Sequence, residues 1–181
     1  YNDIKHARAE IDKSSTRSLP IYSLDTGLIF ERNSTVFGRE TEQTLEPRLF
    51  YAYIPYRNQR HMPNFDSSSA DLNFAELFTP NKYTGFDRIA NTNQLSAVLT
   101  TRYIDSGTGK EWFSATVGQR YYFTDEKVDL YWSNPGKTKN RSDVLAASQF
   151  SLFEGWRLEG AIQYSTEWSR ISKTSAGIRY N

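Results

Sequence analysis

Side chains suited to proton transfer or metal binding are sparse here: two histidines, His6 and His61, and no cysteine. A zinc centre or an activated nucleophile needs several such groups at fixed spacing. Neither histidine has them, and no glycine-rich phosphate loop or serine-nucleophile motif is present. His6 falls in strand-like text and His61 in a connection, so no catalytic residue, no metal and no cofactor is expected. Replacing both histidines is expected to leave function intact. Acidic residues are plentiful, but spacing along the chain cannot pair them.

More informative are charges set inside apolar text. Glu46 and Arg48 alternate with Leu45, Pro47, Leu49, Tyr51 and Tyr53, so in a strand the two charges share one face and the apolar set takes the other. Arg102, Arg120, Arg157 and Arg179 occupy polar-face positions of later segments in the same way. If the apolar face meets lipid, an arginine on it would cost about 2–4 kcal/mol at mid-bilayer, so the register is strongly set. The charged set then lines a lumen, where such groups usually satisfy one another. Asp25, Glu31 and Arg102 are the expected partners of Glu46 and Arg48, with direct substrate contact the less favoured role. Pro47 cannot donate a ladder hydrogen bond and should mark a bulge or a break in pairing.

Positioning these residues requires long strands. Alternation recurs in segments near ten residues, the length a tilted strand needs to cross a bilayer. In 94–103, Leu95, Ala97, Leu99, Thr101 and Tyr103 oppose Ser96, Thr100 and Arg102. In 156–166, Leu158, Gly160, Ile162 and Tyr164 oppose Arg157, Glu159, Gln163 and Ser165. Eight strands are expected, at 1–11, 20–31, 43–54, 94–103, 111–123, 143–153, 156–166 and 172–180. Residues 68–78 could form one or two helical turns. The longest connections, 55–93 and 124–142, fall on the same side, as do the short ones, including Phe153-Glu154-Gly155-Trp156. Barrels with long extracellular loops and short periplasmic turns show this asymmetry.

Aromatics fit that orientation. They make up 15% of the 181 residues, and girdles should flank the apolar band. Tyr22, Tyr51, Tyr53, Tyr121, Phe123 and Tyr164 fall at the outer level, and Phe30, Tyr103, Phe113, Phe150 and Tyr180 at the inner. Ala97, Leu99, Ala115, Val117, Gly160, Ile162 and Ala176 lie between.

Composition closes off other classes. No apolar run approaches the roughly 20 residues of a transmembrane helix. A net charge of +1, from 22 basic and 21 acidic residues spread along the chain, offers no nucleic-acid footprint. The fold class is therefore all-β, with antiparallel transmembrane barrel strands over one domain, 1–181, and no second domain. Both ends fall inside strand-like text, so the chain reads as part of a longer one. A soluble glycan-binding β-sandwich has shorter strands, near 5–6 residues. A small self-contained barrel, porin or lipid-modifying enzyme, would need bulkier interior residues than Ser23, Gly27, Ser96, Thr100, Ser114, Thr116 and Ser165.

Four stretches go beyond pattern: Gln43-Thr44-Leu45-Glu46-Pro47-Arg48, Tyr53-Ile54-Pro55-Tyr56-Arg57-Asn58-Gln59, Pro63-Asn64-Phe65-Asp66, and Gly85-Phe86-Asp87-Arg88-Ile89-Ala90-Asn91-Thr92-Asn93-Gln94. In order and spacing they resemble the LptD family of lipopolysaccharide-assembly proteins. Weaker similarity continues through Gly118-Gln119-Arg120-Tyr121-Tyr122-Phe123 and Gly160-Ala161-Ile162-Gln163-Tyr164. The resemblance implies a middle portion of a barrel of roughly 26 strands. It also implies the cell outer membrane and its lipid as the setting, and lipopolysaccharide as cargo. The implied partners are the lumenal lipoprotein LptE, the periplasmic bridge protein LptA and the barrel-assembly machinery during folding. The family's cysteines and its lateral gate have no counterpart here.

A connection as long as 55–93 is usually functional or disordered. Phe65, Leu72, Phe74, Leu77, Phe78, Tyr83, Phe86 and Ile89 offer apolar anchors, and three prolines stiffen the path. The expectation is an ordered extracellular cap fastened by Asn64, Asp66, Asp87 and Arg88. Truncating Phe65 or Phe86 to alanine should cost about 3 kcal/mol if that ring is buried.

Overall fold

The computed structural model describes residues 17–60, 62–130, 140–153 and 155–180. His6, His61 and the expected strand at 1–11 lie outside them, as do Glu154 and 131–139 of the second long connection. The chain is all-β: β1 (Tyr22–Gly27), β2 (Phe30–Val36), β3 (Arg39–Ile54), β4 (Thr92–Asp105), β5 (Glu111–Tyr122), β6 (Val144–Phe153), β7 (Trp156–Ser165) and β8 (Arg170–Tyr180). They form one eight-stranded sheet ordered β1-β3-β4-β5-β6-β7-β8, with β2 also pairing with β3.

Two strand boundaries differ from expectation, each for a backbone reason. The segment 20–31 is not one strand, because it breaks at Leu28-Ile29 between β1 and β2. Phe30 pairs with Leu45, and the Leu28 amide donates to the Pro47 carbonyl at 3.0 Å. Pro47 has no N–H to return, so the ladder opens at the proline. The connection read at 32–42 is instead a hairpin in which Val36 pairs with Arg39. Phe37 at φ 50 and Gly38 at φ 76 alone make the turn, the left-handed pair whose twist suits adjoining antiparallel strands. These strand ends are polar, so apolar alternation could not reveal them.

Within 68–78 only Glu76–Phe78 is helical, as a short 3-10 turn whose Glu76 amide donates to Asn73 Oδ1 at 3.0 Å. The apolar residues before it do not share one face, and Pro80 stops any continuation.

Side chains sort by face. Leu45, Leu49, Leu99, Val117, Ile162 and Ile178 are among the large apolar residues left exposed. Cross-strand register aligns them in rows: Val117 with Ala146, Ala146 with Ile162, Ile162 with Thr174; and below these Phe113 with Phe150, Phe150 with Leu158, Leu158 with Ile178. At the short-turn end aromatic rings touch in series. Centroids are 5.7 Å apart for Tyr103 and Phe113, 6.3 Å for Phe113 and Phe150, and 5.1 Å for Trp156 and Tyr180. Phe37 and Trp112 join this belt at 6.4 Å, an addition to the aromatics expected there. Phe37 entered because the hairpin carries it to the belt; Trp112 packs on Tyr103 at 5.5 Å and on Phe150 at 5.8 Å.

Two compact units divide the chain. One gathers the long connection with its flanking strand ends, Tyr51–Gln94, and the described parts of 17–24 and 122–140. The other holds Asp25–Phe50, Leu95–Tyr121 and the segment from Arg141 onward. Within the first, Ala52, Ile54, Thr92 and Gln94 are buried, because the connection folds back on the face carrying them. Thr92 Oγ1 donates to the Pro80 carbonyl at 3.1 Å and Gln94 Nε2 to that of Thr79 at 3.1 Å.

Spin labels in the full-length protein should report the faces directly. Labels at Leu95, Leu99, Val117, Ile162 and Ile178 should respond to a lipid-phase quencher. Labels at Arg102, Arg120, Arg157, Gln163 and Arg179 should respond to a water-phase reagent. The opposite pattern would invert the register.

Candidate functional site

The polar face of the second unit is laced with arginine contacts. Arg48 grips Asp25 through both carboxylate oxygens, Nε to Oδ1 at 2.9 Å and a terminal nitrogen to Oδ2 at 2.5 Å. Arg102 bridges two strands, with Nε 3.0 Å from Glu46 Oε1 and a terminal nitrogen 2.9 Å from Glu111 Oε2. Thr44 Oγ1 also donates to Glu46 at 2.7 Å. Arg120 is buried, and its Nε lies 3.2 Å from Ser96 Oγ. Glu31, an expected partner, takes no part in these contacts. Pairs this open to solvent contribute about 0.2–1 kcal/mol each. Their larger effect is on register, since a one-residue slip would move every charge to the apolar face.

At β7 the pattern changes. Arg157 stands directly opposite Arg179 in the ladder, and opposite Ser151 on its other side. Arg179 reaches Glu159 at 3.4 Å. The buried Nε of Arg157 has no hydrogen-bond partner among the described residues.

In the first unit the long connection is held mostly by side chains bound to backbone. Asp87 Oδ2 accepts from the amides of Phe65 at 2.5 Å and Asp66 at 2.9 Å. Asp66 answers, accepting from the Phe86 amide at 3.3 Å and the Asp87 amide at 3.2 Å. Each aspartate thus clamps the other's segment. Gly85 permits this approach: its φ is +74, and a Cβ there would fall 2.5 Å from Asp66 Oδ1. Asn64 supports the clasp, its Oδ1 accepting from the Ser67 amide at 3.1 Å. Arg88, almost fully buried, donates to the carbonyl of Met62 at 2.6 Å.

Phe65 and Phe86 behave differently from expectation, since they project from the clasp at 86% and 84% exposure. Their backbones are the fastened parts. Burial falls instead on Leu77, Tyr83, Ala90 and Val128.

Sequence reasoning gave no role to Gln59 or Asn81, which do much of the holding. Gln59 is buried and pairs with Ile89 as a strand would, donating to its carbonyl at 2.7 Å and accepting from its amide at 3.1 Å. Asn81 accepts from the Ala90 amide at 3.0 Å and donates to the carbonyls of Tyr83 and Arg88. Only the Tyr56-Arg57-Asn58-Gln59 motif hinted at the first. The two long connections also join. The Tyr83 hydroxyl lies 2.6 Å from Glu126 Oε1 and 2.8 Å from the Val128 carbonyl, and Lys82 pairs with the same carboxylate. Burial, then the neighbouring Glu126, pushes the phenol far above its usual range, so it stays protonated and donates.

Backbone amides of Asp87 and then Phe86 hold the Asp66 carboxyl below its ordinary value of 3.8. A depressed carboxyl stabilises its folded environment above the unfolded value, and that contribution is lost as pH falls through the lower folded one. Hydrogen exchange over 85–88 should therefore accelerate relative to intrinsic rates only below about pH 3.8. Asp66→Asn should remove this dependence, and an unchanged profile in that variant would exclude Asp66 as the titrating group.

An antiparallel sheet of long strands, with one face exposing aliphatic rows above an aromatic belt and the other carrying ion-paired arginines, defines the wall of a membrane-spanning β-barrel. The particular family follows from comparison: LptD, described as LPS transport system D, matches residues 1–181, and the chain belongs to it. It is 43% identical over 169 residues to the LPS-assembly protein LptD of Paraburkholderia xenovorans, covering 93% of this chain and 21% of that protein. It is 46% identical to the one from Aromatoleum aromaticum, over 92% of this chain and 21% of that protein. For Thiobacillus denitrificans the figures are 40%, 93% and 23%. The chain thus spans about a fifth to a quarter of the length of these relatives.

Proposed function

We propose that the whole protein inserts lipopolysaccharide into the outer leaflet of the outer membrane, and that residues 1–181 supply part of its barrel wall and an extracellular cap. The two-faced sheet carries this reading. An amphiphile needs a polar path for sugars and phosphates beside an apolar exterior for acyl chains, and the strands separate those surfaces residue by residue. The connection between β3 and β4 supports the cap, because it packs on the polar-face residues Ala52, Ile54, Thr92 and Gln94. Glu46, Arg48, Arg102, Arg120, Arg157 and Arg179 then line the lumen. Transport of this kind makes and breaks no bond.

Family membership favours this reading over a soluble glycan-binding sandwich or a small self-contained barrel. The proposed partners are lipopolysaccharide, the lumenal lipoprotein LptE, the periplasmic bridge protein LptA and the barrel-assembly machinery. Depleting the full-length protein should withhold newly made lipopolysaccharide from the cell surface, measured with a reagent that cannot cross the outer membrane. The wild-type gene and a His6→Ala, His61→Ala double variant should both restore it. Surface lipopolysaccharide unchanged by depletion would sink the transport reading. Failure of a normally folded double variant would instead sink the absence of chemistry.

A further inference from the structure

Arginines on the polar face differ in how they are satisfied. Arg48 has Asp25, Arg102 has Glu46 and Glu111, and Arg120 has Ser96. Arg157 forms no ion pair or hydrogen bond through its side chain among the described residues, and its Nε is buried. Its ladder neighbours on both sides are defined, Ser151 on β6 and Arg179 on β8. Neither can neutralise it, and the second repeats its charge.

Like charges directly opposite in a ladder have Cβ atoms only about 4.5–5.5 Å apart and destabilise the pairing. Among the described residues, the carboxylate that joins this group is Glu159, which engages Arg179 at 3.4 Å and leaves the three side chains with a surplus positive charge. Along the same face Glu159 stands opposite Gly177, which has no side chain, and beyond it Ala161 and Ser175 are both small. Room for a ligand therefore adjoins the charge. Two planar guanidinium forks beside each other match the tetrahedral oxygens of a phosphate, which each can grip bidentately.

We propose that Arg157 and Arg179 form a phosphate-binding site on the polar face of β7 and β8, which takes a phosphate group of the transported glycolipid. This rests on the reading of that face as lumenal. The pair stands beside Trp156 and Tyr180 of the inner aromatic belt, so an anionic head entering from the short-turn side meets it early. The bound phosphate offsets the repulsion between the two strands.

The test uses the purified full-length protein with a photoreactive residue at Ser175, and the same probe at Thr116 farther along the polar face. The probes are lipopolysaccharide with its phosphates, the same glycolipid after phosphate removal, and inorganic phosphate as competitor. Crosslinking from Ser175 should fall roughly tenfold in Arg157→Gln with Arg179→Gln, the loss of a charge-assisted bidentate contact. Phosphate removal should lower it similarly in the wild type. Heat-shifted gel mobility checks that the barrel is folded. Should the glutamine pair not fold, Arg157→Lys with Arg179→Lys keeps the charge, loses the fork and should give an intermediate yield. Crosslinking indifferent to both the arginines and the phosphates would overturn the site yet leave transport standing. No glycolipid crosslink at either position would overturn the lumenal route and the site with it. Binding of inorganic phosphate that is lost in the glutamine pair, with a glycolipid crosslink at Thr116 but none at Ser175, would assign the pair to free phosphate, against the proposal.

Discussion

Val117→Arg in the full-length protein is expected to lower barrel stability by about 2–4 kcal/mol, the cost of a cationic side chain on a lipid face near mid-bilayer. Val117 is 43% exposed and sits in the row shared with Ala146 and Ile162, above the Phe113, Phe150 and Leu158 row. Its neighbour Thr116 provides the control. That side chain points the other way and shares a 3.0 Å hydrogen bond with Thr100 on the polar face. Thr116→Arg should therefore cost far less, chiefly that one hydrogen bond, about 0.5–1.5 kcal/mol. Urea titration of the reconstituted barrel, read by its heat-shifted mobility, separates the two. Equal losses at both positions would mean that the faces are not lipid and lumen.

Leu77→Ala carries the other large effect. Leu77 has no exposed surface, and emptying such a site costs about 2–5 kcal/mol. The cost falls on the long connection, so hydrogen exchange over 72–79 should rise while β6 to β8 stay protected. If the cap reading holds, cells should also become sensitive to large antibiotics that the outer membrane normally excludes. Phe65→Ala and Phe86→Ala give the contrast. Both rings are exposed, so each change should stay within about 0.5 kcal/mol despite removing a larger side chain. A leaky membrane from the exposed pair and a tight one from Leu77→Ala would reverse the assignment of the anchors.

That reversal of roles shows where sequence stopped being informative. Phe65 and Leu77 are equally apolar in the chain, and their surroundings fix no period that would say which turns inward. Irregular segments lack the two-residue repeat that sorts faces in a strand. Asp66 and Asp87 stood out in the connection as charged residues. Their reciprocal grip on each other's amides was not legible, because it joins segments 21 residues apart through backbone groups every residue possesses. Gln59 and Asn81 were missed for the same reason.

For the segments at 94–103, 111–123 and 156–166, strand identity and the split between two faces were determined by the sequence itself. Alternation across 94–103 and 156–166 assigns each side chain to a face, since a register slip would move the charges to the apolar face and the apolar rows to the polar one. Pro47 likewise announced its break, because the missing N–H is a property of the residue and not of its neighbours. Tertiary structure decided what lay across the ladder or beyond the repeat. It chose Asp25 over Glu31 for Arg48, turned the polar stretch at 32–42 into a hairpin, and set Arg157 against Arg179. Those outcomes depend on which strands become neighbours and in what register, a pairing of distant segments that no local pattern encodes.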